Sequence, residues 1–435
     1  MQITHHRYRR SALVIAMAIA HLGAIVAPAS AQDSSAALAP TSKEMPLTLA
    51  AAIDLAVSQS PDLAVARREA EASEGAVMQA GVFLNPALSY QVEDAQRSTR
   101  TTTTQISQPF ELGGKRAARI DAAERGREIA LAGVSSKMAE IRAQVTAAFF
   151  DVVAAQERVQ LAQSLEELAR QASDAAAKRV LAGKVSPVEE TKARVAEASV
   201  RTEVVQAKSE LTVSRQRLSS LWGDTSPKFL RAEGSLDTMP SLPSEGALQA
   251  RMTDSPTLKK AQLEIARRKA ISDLEQAKRI PDLTVSLGVK RDEQLGRDQT
   301  VVGLSIPFPI FDSNRGNLLE ALKREDKARD ESIAVQNRLN LDVMEARGRL
   351  EAGRDLAQAL QRDVLPGAQS AYAAATKGFQ LGKFGFLDVL DAQRTLFQAR
   401  LQYLRALSDT HRAAADIDRL LSDALSTPAH AVVQP

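Results

Sequence analysis

The stretch Leu381-Gly382-Lys383-Phe384-Gly385-Phe386-Leu387-Asp388-Val389-Leu390-Asp391 decides the fold. Two glycines break a long helical run, and two acids follow where the next run begins. A similar turn, Leu181-Ala182-Gly183-Lys184-Val185-Ser186-Pro187-Val188-Glu189, stands earlier between two other long runs. Glycine supplies the left-handed backbone that ends a helix, and Pro187 suits the first turn of the next.

Upstream of the first turn no proline interrupts Gly114 to Leu181. There Val134, Met138, Ile141, Val145, Ala148, Val152, Ala155, Val159 and Ala162 step by four and three. That spacing is a coiled-coil seam. About 68 residues at a rise of ~1.5 Å each give a rod on the order of 100 Å long. The return helix carries its own seam through Val200, Val204, Ala207, Leu211, Ser214, Leu218 and Leu221. Around the second turn, one strut from about 316 to 381 has a seam at Leu339, Val343, Ala346, Leu350, Gly353, Ala357, Leu360 and Val364, with a bend expected at Pro366-Gly367. Leu396, Ala399, Tyr403, Ala406, Thr410, Ala413, Ile417 and Leu420 line the last helix.

Before each rod the hydrophobic period changes to two. Leu88, Tyr90 and Val92 alternate with Ser89, Gln91 and Glu93; a polar turn and the β-branched run Thr101 to Ser107 complete a hairpin. A second hairpin alternates more cleanly, with Leu283, Val285, Leu287 and Val289 on one strand and Val302, Leu304 and Ile306 on the other. Ser60-Pro61-Asp62-Leu63 recurs as Ser255-Pro256-Thr257-Leu258, and Asn85-Pro86-Ala87-Leu88-Ser89 as Ile280-Pro281-Asp282-Leu283-Thr284, both 195 positions on. Self-similarity at a fixed offset across different element types indicates a tandem duplication.

Composition narrows the class. Aromatics make up 4% of the 435 residues, which suits long helices packed through small side chains better than a compact enzyme. Arg7, Arg9 and Arg10 precede the apolar run Ala12 to Ala20 and the small residues Ala29-Ser30-Ala31, the pattern of a secretion signal. The run is short for a membrane anchor. The signal holds three of the 56 basic residues and no acid, so the remainder balances at 53 against 53 and offers no nucleic-acid surface. With no cysteine there is no disulfide, thiolate metal site or acylated anchor. Of five histidines, His5, His6 and His21 lie in the signal, leaving His411 and His430 far apart and without ligand-spaced partners. Neither a cofactor, a metal site nor catalytic residues are expected.

The chain thus divides into a signal peptide (1–31), a flexible leader (32–45), a first repeat (46–222, with a β-hairpin at about 86–110 and a helical hairpin at about 114–221), a connector (223–243), a second repeat (244–425, with a β-hairpin at about 281–308 and a helical hairpin at about 316–421), and a disordered tail (426–435). The class is mainly α with a small β part. Four strands cannot close a membrane barrel, which needs about eight. Three chains would supply twelve strands in one outer-membrane barrel and continue it as a periplasmic α-helical tunnel.

In the tandem repeat, the order of strand hairpin and strut, and Gly382-Lys383 followed by Asp388-Val389-Leu390-Asp391, the chain resembles the TolC family of trimeric outer-membrane efflux channels. Gln108-Pro109-Phe110-Glu111-Leu112-Gly113-Gly114-Lys115-Arg116 and Pro307-Phe308-Pro309-Ile310-Phe311-Asp312 resemble the CzcC-type branch, which serves heavy-metal RND exporters. Many of its relatives are lipoproteins, and this chain has no cysteine to acylate. The resemblance implies a homotrimer embedded in outer-membrane lipid, working with a periplasmic adaptor and an inner-membrane RND pump. It implies that Asp388 and Asp391, three apart on one helix face, form carboxylate rings that constrict the periplasmic entrance and favour cations. Equally, both acids suit a helix N-terminus. It further implies that the tips, with Gly183, Lys184, Ser186, Gly382, Lys383 and Gly385, dock the adaptor, although chain reversal alone also calls for glycine there. The function expected is a passive exit duct for divalent heavy-metal cations. The alternatives are a general drug-efflux or type I secretion duct, and a periplasmic coiled-coil adaptor without a pore.

Overall fold

The computed structural model describes residues 46–94 and 96–421; the signal, the leader and the tail read from the sequence lie outside the described residues. Short strand β1 (Leu47–Thr48) leads into α1 (Leu49–Gln59), where Thr48 Oγ1 caps the Ala51 amide at 3.3 Å. Helix α2 (Pro61–Gly81) opens on its proline. A hairpin of β2 (Ala87–Glu93) and β3 (Thr101–Phe110) follows, then α3 (Lys115–Leu181) and α4 (Pro187–Ser220). Strand β4 (Ala232–Glu233) pairs parallel with β1. After α5 (Glu245–Met252) the order recurs: α6 (Pro256–Ala277), β5 (Leu283–Asp292), β6 (Arg297–Ser305), α7 (Arg315–Ala359), α8 (Leu365–Gln380) and α9 (Phe386–Leu421).

The core lies along α3, which packs against α2, α4, α6 and α9. Val145, Phe149 and Val152 of α3 meet Leu63, Leu218 and Leu407, each of them fully buried. Small residues permit the close approach. Gly353 of α7 faces Thr410 of α9, and a Cβ there would come within 2.7 Å of Thr410 Oγ1. The segment between the two halves is not a bare link, because Trp222, Phe229 and Leu236 all enter the core.

The second strut is not one rod. Between α7 and α8, residues Leu360–Val364 form a π turn, with the Leu365 amide donating to Leu360 O. Pro366 lacks an N–H, and its ring crowds the carbonyl four residues back, so the ladder opens by one residue just before it. The wider turn rotates the following positions away from the seam. Val364, expected on the seam, is 43% exposed, and burial resumes at Ala368 and Ala375.

Candidate channel surfaces: the sheet face and the hairpin tips

Strands β2, β3, β5 and β6 form one antiparallel sheet in that order. Leu88 pairs with Ile106, Ile106 with Leu287, and Leu287 with Val302, so one apolar row crosses all four strands. Each of these side chains is more than half exposed. Tyr90, Val92, Val289 and Leu304 extend the same face. The opposite face carries small and polar residues: Ser107 and Ser286 join Oγ to Oγ at 3.0 Å, and Gln105 pairs with Gly288. A Cβ on Gly288 would lie 2.6 Å from Thr104 O, so only glycine fits that crossing. Among the described residues, β2 and β6 are the edge strands of this sheet.

The stretch Gln108 to Arg116, read from sequence as a branch marker, turns out to be the corner that joins sheet to rod. Gln108 Nε2 donates to Leu84 O at 2.8 Å, Arg116 Nε to Gly81 O at 2.7 Å, and Arg119 Nε to Ala80 O at 3.0 Å. Arg119 also pairs with Glu111, which raises the guanidinium pKa above its ordinary value, partly against burial. Lys115 Nζ meets Asp282 Oδ1 at 2.6 Å, and the Leu112 amide donates to the same oxygen at 3.3 Å. Gly113 and Gly114 turn the chain at φ +69° and +75°. The two contacts to Asp282 join segments 167 and 170 positions apart, the others span 8 to 39 positions, and none leaves a periodic signal in the sequence.

At the far ends of the rods both reversals are the same motif. Gly183 and Gly382 adopt φ of +66° and +72°. The Gly183 amide donates to Val180 O (2.9 Å) and Lys184 to Arg179 O (2.9 Å); Gly382 donates to Phe379 O (3.0 Å) and Lys383 to Gly378 O (2.8 Å). Both are Schellman endings, in which a left-handed residue lets the last carbonyls find donors. Ser186 Oγ caps the Val188 amide at 3.3 Å. At the second tip the Gly385 amide instead donates to Asp388 Oδ2 at 2.9 Å. Asp391, on the next turn, is exposed, as are Lys184, Lys383 and Gly385.

Phe386 holds the two tips of one chain together. It is buried against Ala176 and Ala193 of the first hairpin, and its ring lies 6.1 Å from that of Phe379. The Phe384 ring folds so closely onto Gly378 that any Cβ there would overlap it. Sequence reading passed over this cluster; the aromatics flanking Gly385, in a chain with few aromatics, were its signal. Among the described residues no group of three or more His, Cys, Asp or Glu could hold a metal, and no helix is long and apolar enough to cross a membrane.

An amphipathic sheet is thus carried on long helical rods that end in paired tips. The chain belongs to the outer membrane efflux protein family, whose profile it matches over residues 52–224 and 247–422. It is 47% identical over 415 residues to the cobalt-zinc-cadmium resistance protein CzcC of Cupriavidus metallidurans, covering 95% of this chain and 99% of that one. Its fold is that of the open-state MtrE outer membrane channel of Neisseria gonorrhoeae (TM-score 0.74, 20% identity, 86% of this chain and 88% of that one). A membrane protein from Pseudomonas aeruginosa gives TM-score 0.76 at 18% identity over 86% of this chain and 92% of its own.

Proposed function

We propose that this chain is the outer-membrane duct of a tripartite efflux system, a passive exit from periplasm to exterior for divalent heavy-metal cations. The observation that carries the duct is the apolar row Leu88, Ile106, Leu287, Val302 across a sheet whose edges are unpaired. Lipid offers backbone N–H and C=O groups no hydrogen-bond partner, so such a sheet spans a membrane only when closed. Three copies supply twelve strands, and their helical hairpins continue the barrel as a periplasmic tunnel. The cargo rests on the relation to CzcC, whose name states cobalt, zinc and cadmium resistance.

In this reading Gly183, Lys184, Ser186, Gly382, Lys383 and Gly385 meet the periplasmic adaptor of an RND pump, and Asp388 and Asp391 ring the entrance. Rings of carboxylates concentrate negative potential and favour cations. A resident metal is not required, because a conduit works through weak, transient contacts. The test is growth of a strain lacking the gene, with and without its restoration, on zinc, cobalt, cadmium, nickel and copper, and on dyes, detergents and antibiotics. Sensitivity confined to metals is expected. Sensitivity to organic compounds alone would keep the duct and overturn the cargo.

A further inference from the structure

We propose that the segment leaving β6, Ile306 to Phe311, and the segment leading into β2 of a second copy, Phe83 to Leu88, form an apolar seam. This seam takes the place of the polar clip that joins β3 to β5 inside one chain. The inference rests on the duct reading above and adds which side chains close it.

The strand directions bring these segments together. Strand β2 starts, β3 ends, β5 starts and β6 ends at the rim nearest the helices. Closing the sheet antiparallel therefore sets the end of β6 beside the start of the next copy's β2, as the end of β3 lies beside the start of β5. The internal junction is a template for the external one. In it the ladder runs to Phe110 opposite Leu283, and Asp282 then takes both the Leu112 amide and the Lys115 ammonium.

The repeat does not carry that clip over. At the fixed offset of 195, Ala87 stands where Asp282 does, so the start of β2 offers no carboxylate. Pro307-Phe308 follows Pro109-Phe110 by 198 positions, three more than that offset, and the residues beyond include Ile310 and Phe311. Phe308, Ile310 and Phe311 are 87%, 75% and 99% exposed, and Phe83 and Leu88 are each 73% exposed. Bare aromatics at both facing ends are what an apolar junction between copies needs. The receiving side is already braced: Arg116 lies over the Phe83 ring at 4.3 Å while Gln108 holds Leu84 O.

The natural chain contains no cysteine, so introduced pairs report without background. The full-length protein in its membrane would carry Leu88→Cys with either Phe308→Cys or Ile310→Cys and be oxidised mildly. Bands at dimer and trimer mass that collapse on reduction, and are absent from each single variant, are expected. Separately, Phe308→Ser with Phe311→Ser is expected to lower the temperature at which the detergent-solubilised trimer dissociates, with helical content unchanged. Trimers by native mass spectrometry in which neither pair cross-links would overturn the seam, assigning these side chains to lipid and leaving the duct intact. Monomers alone would remove the duct and the seam with it.

Discussion

Asp388 and Asp391 share a face of α9 but are held differently, so their substitution separates a structural effect from one on the proposed ring. The Asp388 carboxylate accepts the Gly385 amide at 2.9 Å, closing the turn before its own helix. Losing such a cap costs about 1 kcal/mol, so Asp388→Ala is expected to lower the melting temperature. Asp391 is exposed, and in the proposed carboxylate ring it would set the potential at the entrance. Asp391→Asn is therefore expected to leave the melting temperature unchanged and to bring the reversal potential in a salt gradient closer to zero. Planar-bilayer recording with thermal unfolding measures both. Unchanged selectivity in Asp391→Asn would take that residue out of the gate. The spacing of the two acids was legible in the sequence, and the different holds on them were not. A carboxylate three positions into a helix reads the same whether it reaches back to the turn or out to solvent.

At the scale of elements, α3 and α9 are held by a stack that no periodicity announces. The ring of His411 lies 3.7 Å from that of Phe150, nearly parallel, and its Nε2 is 3.1 Å from Leu236 O. Burial lowers the His411 pKa below its ordinary 6.5, with the carbonyl contact acting the other way. The unfolded chain then takes up a proton at higher pH than the folded one. Stability from this site is complete above about pH 6.5 and falls with acid, by at most about 1.4 kcal/mol per pH unit, until the folded pKa is reached. His411→Gln is expected to melt lower at pH 8 and to lose less on going to pH 5 than the natural protein. Equal losses in both would show that His411 carries none of the acid sensitivity. The heptads of α3, α4 and α9 were plain because apolar residues recur where the helices meet. Past Leu360 the reading failed, because one extra residue in the π turn shifts the phase and Val364 swings outward. Proline signals a break without saying which way the ladder opens.

For the whole molecule, what matters is that the sheet has two unlike faces and no closed edge. Alternation in β2, β5 and β6 announced the faces, since a period of two puts every second residue on one side. The pairing of β3 with β5 was not legible: register between strands ~180 positions apart is fixed by the corner at Gln108 to Lys115 and by Gly288, which a linear pattern does not report. The two faces make opposite demands on charge. A lysine facing lipid near the midplane costs about 2–4 kcal/mol, whereas one facing the lumen stays in water. Leu287 and Gln105 lie on adjacent strands and face opposite sides, with Ile106 opposite Leu287 and Gln105 opposite Gly288. Leu287→Lys is accordingly expected to reduce the amount of protein recovered in the outer-membrane fraction severalfold. Gln105→Lys is expected to be recovered normally and to weaken cation preference in the bilayer. If both variants were recovered alike, with alike conductance, the two faces would share one solvent, and the strands would not be the part of the molecule that crosses the membrane.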